Sequence, residues 1–178
     1  MKKFTKKYID TLISTLKNSD TDTISDIVNL LDSTKGRIYI IGNGGSAATA
    51  SHMVNDLGAG LRRRNIRSFD VESLSDNTPV CTAIANDIGY ENIFYMQLKG
   101  RINKNDILIA ISCSGNSENI LKAVKYAKKQ DAKIIGITGF DGGKLKKKSD
   151  INFHVQTDEG QYGIVEDIVT YGIVNSAN

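Results

Sequence analysis

Apolar positions along the chain keep two different periods. In the N-terminal segment they recur at helical spacing, first as Tyr8, Leu12 and Leu16, then as Ile24, Ile27, Val28 and Leu31, which predicts two amphipathic helices. Asp20 and Thr23 between them are residues that cap and break helices. From Arg37 the pattern changes to short, almost unbroken apolar runs rich in β-branched residues, at 37–41, 106–111 and 133–137, each leading into a turn of Gly, Ser or Thr. Such runs, as opposed to alternation, mark parallel strands buried on both faces. Two more strands are predicted at 68–73 and 151–155, with helices at 46–57, 79–85, 117–130 and from 164 to the end of the chain. Strand alternating with helix predicts βαβ units and a doubly wound α/β fold: a five-stranded parallel sheet in a flavodoxin-like layout, preceded by the two N-terminal helices.

Composition narrows this further. At 178 residues, 40% hydrophobic and 24% charged, the chain suits one domain. Its single proline and lack of a Gly/Ser/Pro-rich linker make the helices of 1–34 part of the same domain as 35–178. No apolar run is long enough to span a membrane. The basic start (Lys2, Lys3, Lys6, Lys7) leads into a segment broken by Asp10 and hydroxyl residues, unlike a signal peptide. Cys81 and Cys113 form neither a disulfide framework nor a zinc spacing. A cytoplasmic, reducing location is expected, with no membrane partner. The net charge of +3 is mild. Nucleic-acid binding would need the Lys144 to Lys148 run to be continuous with Arg62 to Arg64; such runs are ordinarily solvated faces, so no nucleic-acid partner is expected.

In sheets of this kind ligands bind outside the carboxyl ends of the strands, where loops run into helix N-termini. Two loops there carry the chemistry. Gly42, Asn43, Gly44, Gly45 and Ser46 follow the first strand; Ser112, Cys113, Ser114, Gly115, Asn116 and Ser117 follow the third. Glycines let the backbone approach a ligand, and hydroxyls beside a helix start favour an anion. Either loop alone could be an ordinary turn with capping serines. Neither matches a nucleotide-binding fingerprint. The two together predict a phosphate bound between the Gly44–Ser46 turn and the stretch from Ser112 to Ser117.

Beyond those loops, Asn86, Asp87, Gly89 and Tyr90, the Thr138 to Lys144 segment with its paired glycines, and Ile164, Val165, Glu166 and Asp167 follow in turn. In order and spacing these segments resemble the sugar isomerase (SIS) domain family, most nearly its phosphoheptose isomerase branch, which converts sedoheptulose 7-phosphate to D-glycero-D-manno-heptose 7-phosphate. The resemblance runs from about residue 8 to the C-terminus and makes 35–178 an SIS phosphosugar-binding domain. It implies a sugar-phosphate substrate, phosphate contacts from Ser46, Ser112, Ser114 and Ser117, and a homotetramer with sites between subunits. Asn43, Gly44, Gly45 and Asn116 belong to the same motifs, and Asn86 and Asp87 would line the pocket or cap a turn.

The catalytic end departs from the family pattern. Members of the branch bind zinc with a His and a Glu four residues apart on the helix after the first loop, and a Gln and a His eight residues apart on the last helix. Here the first pair reads His52 and Asp56, the Gln position falls on Glu166, and the last His position falls on Val174 beside Asn175. Valine neither ligates metal nor shuttles a proton. The set of His52, Asp56 and Glu166 is incomplete against the four ligands of a closed zinc site, so zinc is admitted and no cofactor is required. Aldose–ketose isomerisation needs a base to move a proton between C1 and C2; Asp56 and Glu166 are the candidates, with His52 beside them as a third catalytic residue. Cys113 reads as filler in a Thr-like slot and His154 as structural. The expected function is a phosphoheptose-type isomerase. The alternative is a non-catalytic phosphosugar sensor or tetrameric scaffold, like family members that associate with the replication initiator.

Overall fold

The computed structural model describes residues 2–170. Its elements are α1 (Lys2–Lys17), α2 (Thr21–Ser33), β1 (Ile38–Gly42), α3 (Gly45–Val54), a π-helical turn (Asn55–Gly60), α4 (Leu61–Arg63), β2 (Val71–Ser73), α5 (Thr78–Ile88), α6 (Ile93–Leu98), β3 (Ile107–Ser112), α7 (Glu118–Lys129), β4 (Lys133–Thr138), α8 (Gly143–Lys148), β5 (Ile151–His154) and α9 (Tyr162–Val169). The five strands lie in the order β2-β1-β3-β4-β5, all parallel, which is the sheet expected from the apolar runs.

Both faces of that sheet are covered, so the central strands β1 and β3 are buried along their whole length, whereas the edge strands β2 and β5 are only part-buried. Ile38, Ile40, Ile107, Ile109, Ile135 and Phe153 pack with Ile27 and Leu31 of α2, Met53 of α3 and Ile164 and Ile168 of α9. Tyr39, Ile41, Leu108 and Ile134 pack on the other face with Phe94 and Leu98 of α6, Ile120, Val124 and Ala127 of α7, and Leu145 of α8. Each such fully buried side chain contributes about 1.5–3 kcal/mol of hydrophobic stabilisation. Because Leu61 and Leu145 belong to opposite faces, the basic runs at Arg62 to Arg64 and Lys144 to Lys148 do not merge into one patch.

Several boundaries differ from expectation. The helix expected over 46–57 is α-helical only to Val54 and then widens into the π-helical turn before α4; inserted turns of this kind recur at functional sites. The strand expected over 68–73 is shortened to Val71–Ser73. The last helix starts at Tyr162, earlier than expected, and Val174 and Asn175 lie outside the described residues. Helices α6 and α8 were not anticipated. Asp20 caps α2, accepting from the backbone N–H groups of Asp22 and Thr23, each at 3.1 Å.

Candidate functional site

The strand order reverses between β1 and β3, since β1 connects outward to β2 and β3 connects the other way to β4. Ligand crevices form at such a switch point. Gly42 of β1 pairs with Ile111 of β3, so the Asn43 and Ser112 loops leave the sheet side by side.

A polar clamp joins the two loops. The Asn43 and Asn119 amides bond reciprocally: Asn43 Nδ2 donates to Asn119 Oδ1 at 3.0 Å, and Asn119 Nδ2 donates to Asn43 Oδ1 at 2.8 Å. Tyr90, exposed at the rim, adds its hydroxyl to Asn43 Oδ1 at 2.9 Å. Asn119 is only 1% exposed, so these bonds satisfy an amide that water cannot reach. The sequence did hold a signal for Asn119: it shares the i, i+4 stripe of Ala123 and Ala127, a polar residue on a helix face that packs inward.

The loop from Ser112 to Ser117 is held from within. Ser112 Oγ and Ser117 Oγ lie 3.3 Å apart, Asn116 N–H donates to Ser114 Oγ at 3.2 Å, and Gly115 accepts from Leu145 N–H at 2.9 Å. Gly115 has φ of 62°, and a Cβ there would strike the Gly142 carbonyl, so glycine is needed for both conformation and space. Ser112 is buried, Ser114 and Ser117 are half-buried and Asn116 is exposed, a graded hydroxyl wall at the start of α7. An open cleft of about 390 Å³ adjoins it, lined by Ser114, Asn116, Phe140, Gln156 and Thr157 together with the acidic Asp141, Asp158 and Glu159.

The loop after β1 is more open. Gly44 and Gly45 are exposed and Ser46 is buried. Against the first turn of α3 lies the Glu166 carboxylate, so close that a Cβ on Gly45 would fall 2.5 Å from Oε2 and nearer still to Oε1. Buried Cys113 senses this arrangement: its thiol is pushed up by burial and then by the Glu166 charge, while a hydrogen bond with Ser46 opposes both. That is inert packing, not a nucleophile. Helix α9 is fixed in turn by Tyr8, whose hydroxyl donates to Asp167 Oδ2 at 2.7 Å, and by Phe140, which takes a strained φ of 51° and sets its ring edge-on to Tyr162 with centroids 4.9 Å apart. Neither Phe140 nor Tyr8 was singled out from the sequence as a support of the site.

His52 and Asp56 stand apart from this crevice. His52 Nε2 lies 3.3 Å from Asp56 Oδ2, and Asn55 Nδ2 donates to Asp56 Oδ1 at 2.8 Å. Glu166 adjoins Gly45, seven residues or about 10 Å of helix before His52. Among the described residues no three His, Cys, Asp or Glu side chains form a group that could hold a metal ion, so one chain does not assemble His52, Asp56 and Glu166 into a zinc site. Asn86 and Asp87 are exposed on the last turn of α5, bonded to each other at 2.9 Å. His154 bridges Thr138 Oγ1 and Gln156 Oε1, at 3.0 and 3.1 Å, with burial holding its pKa below the usual value, in keeping with a structural role.

Known proteins resemble this chain in sequence and fold. The chain is 41% identical over 154 residues to a phosphoheptose isomerase of Helicobacter pylori strain P12, covering 86% of this chain and 77% of that one. It is 46% identical over 114 residues to a phosphoheptose isomerase of Nitratiruptor, covering 64% and 60%. Among solved structures, a phosphoheptose isomerase from Francisella tularensis superposes with a TM-score of 0.87 at 25% identity, covering 98% of this chain and 94% of that one. One from Neisseria gonorrhoeae superposes at 0.85 and 25%, covering 99% and 95%. Residues 4–139 match the SIS domain model, and with the sheet order and both crevice loops in place the chain belongs to the SIS domain family.

Proposed function

We propose that this protein is a cytoplasmic sugar-phosphate aldose–ketose isomerase of the phosphoheptose type, acting as a homotetramer on sedoheptulose 7-phosphate. The observation that carries the reading is the pairing, across one crevice, of an uncharged hydroxyl loop with a carboxylate laid on the neighbouring loop. Identity of about two-fifths to named phosphoheptose isomerases favours the isomerase over the sensor or scaffold.

The phosphate belongs at Ser112, Ser114, Asn116 and Ser117, where hydroxyls and the start of α7 favour an anion. With the Glu166 carboxylate resting on Gly45, Ser46 and the backbone of Asn43, Gly44 and Gly45 face the part of the sugar next to the phosphate. Glu166 then takes the proton from C1 of the ketose and returns it to C2 through the enediol, the work of a general base, while the proton of the C1 hydroxyl passes to the C2 oxygen. His52 and Asp56, at the other end of α3, would serve a neighbouring subunit's crevice, with Asn86 and Asp87 lining the pocket. The N-terminal helices of 1–34 belong to the same domain as 35–178 and supply the assembly surface. No residue of α1 is buried, and Ile9, Ile13 and Leu16, each 47% exposed, form an outward stripe. Lysines crowd one end of α1 and Asp20 and Asp22 follow the other, charges that would pair between antiparallel copies.

A coupled assay on heptulose, hexulose and pentulose phosphates, with zinc content and light-scattering mass measured on the same sample, tests this. Turnover of the heptulose phosphate by a species well above 19.4 kDa is expected. Glu166→Gln should lower kcat by about 10²–10⁴-fold while sugar-phosphate binding persists, and Asp56→Asn reports on the other carboxylate. Binding without turnover, with or without zinc, would leave the sensor or scaffold.

A further inference from the structure

The first residue of α3 has no conformational need to be glycine. The left-handed backbone of this loop falls on Gly44, with φ of 54°, and Gly45 is absent from the positive-φ residues. Glycine is also a poorer helix former than alanine. What a side chain at Gly45 would meet is the Glu166 carboxylate, with both oxygens and Cδ inside any tolerable contact distance. Glu166 extends from α9, which Tyr8 and Phe140 contact at Asp167 and Tyr162, and the missing Cβ at Gly45 leaves the space its carboxylate enters.

We propose that Gly45 is a positioning residue: the bare first turn of α3 is a seat that sets the Glu166 carboxylate at the depth needed to face C1 and C2 of a sugar whose phosphate is held by the Ser112 to Ser117 loop. This rests on reading Glu166 as the base. A methyl at Gly45 would move the carboxylate by an ångström or more without touching the phosphate loop, and misplacement on that scale costs a rate of order 10²-fold.

Kinetics of Gly45→Ala, Glu166→Asp and the double variant on sedoheptulose 7-phosphate, with a crystal structure and melting curve of Gly45→Ala, form the test. Gly45→Ala should lower kcat by about 10–100-fold with KM nearly unchanged and no loss of melting temperature. Glu166→Asp, one methylene shorter, should clear the added methyl, so the double variant should turn over faster than Gly45→Ala alone. An unchanged kcat, a loss confined to KM, or a loss that Glu166→Asp does not relieve would overturn the proposal. If the wild-type protein turns over no ketose phosphate, the isomerase reading and the positioning role fail together. The Gly45→Ala crystal structure then decides the seat alone: a displaced carboxylate upholds it, and an unmoved one removes it.

Discussion

The loops after β1 and β3 start side by side and are both built from small residues, yet they differ in what rests directly on them. The loop after β3 holds its hydroxyls in an uncharged wall, braced by Gly115 against Leu145. The loop after β1 is exposed at Gly44 and Gly45 and has a carboxylate from a distant helix resting on it. A ligand with a dianionic end and a neutral, reactive end has one favourable orientation between them. Two turns that look equally suited to an anion in sequence thus differ once α9 brings the Glu166 carboxylate onto Gly45.

The most direct way to break this asymmetry is to strip the hydroxyl wall. Ser114→Ala with Ser117→Ala should weaken binding of inorganic phosphate and of sugar phosphate by about 10²-fold or more, since each hydrogen bond to a charged group contributes about 1.5–3 kcal/mol. Calorimetric titration of both ligands measures it. Unchanged affinity would move the phosphate off this loop and leave Glu166 with nothing to be oriented against.

How much of this was legible before the fold was known follows from where each signal lives. Parallel strands buried on both faces announce themselves as unbroken apolar runs, which locates β1, β3 and β4, whereas the part-buried edge strands β2 and β5 give a weaker signal and β2 comes out shorter than expected; the shared strand-to-helix turns expose both loops. Helix α6, with Ile93, Phe94 and Leu98 buried, is too short an apolar run for periodicity to separate from a strand, and α8 carries three lysines on one short turn that read as surface charge. The π-helical turn is not legible as such, because Gly58 and Gly60 read as the end of the helix expected over 46–57. Glu166 was recognisable as a carboxylate near the chemistry, but not its place on Gly45, which depends on how α9 crosses α3. The resemblance grouped it with His52 and Asp56, whereas tertiary packing within one chain sets it at the other end of α3.

The clamp between the loops allows a finer test. Tyr90→Phe removes one of the donors to Asn43 Oδ1 while the reciprocal Asn43–Asn119 bonds remain. A rim hydrogen bond of this kind contributes about 1 kcal/mol, so kcat/KM should fall several-fold, with phosphate affinity unchanged if the two loops divide the work as described. An equal loss in phosphate affinity would mean that Tyr90 braces both loops as one unit.

The smallest expected effect lies on the carboxylate side, where α1 meets α9. Tyr8 donates to Asp167, beside Glu166, and its phenol is raised above its ordinary value of 10.0, first by that hydrogen bond, then by burial and by the charges of Asp167 and Glu166. A raised folded-state pKa means that the folded protein holds this proton more tightly than the unfolded chain does. The stability it contributes is therefore complete below pH 10 and is lost as pH climbs through the folded-state value. The bond is only part-buried, and solvent screening keeps its contribution small. Melting curves at neutral pH should show Tyr8→Phe only slightly less stable than wild type, and the gap should close in strong alkali. Because α9 carries Glu166, the same substitution should lower kcat modestly and leave phosphate binding intact. A loss of phosphate binding equal to the loss in kcat would show that α1 supports the whole crevice, and the division between its two loops would no longer hold.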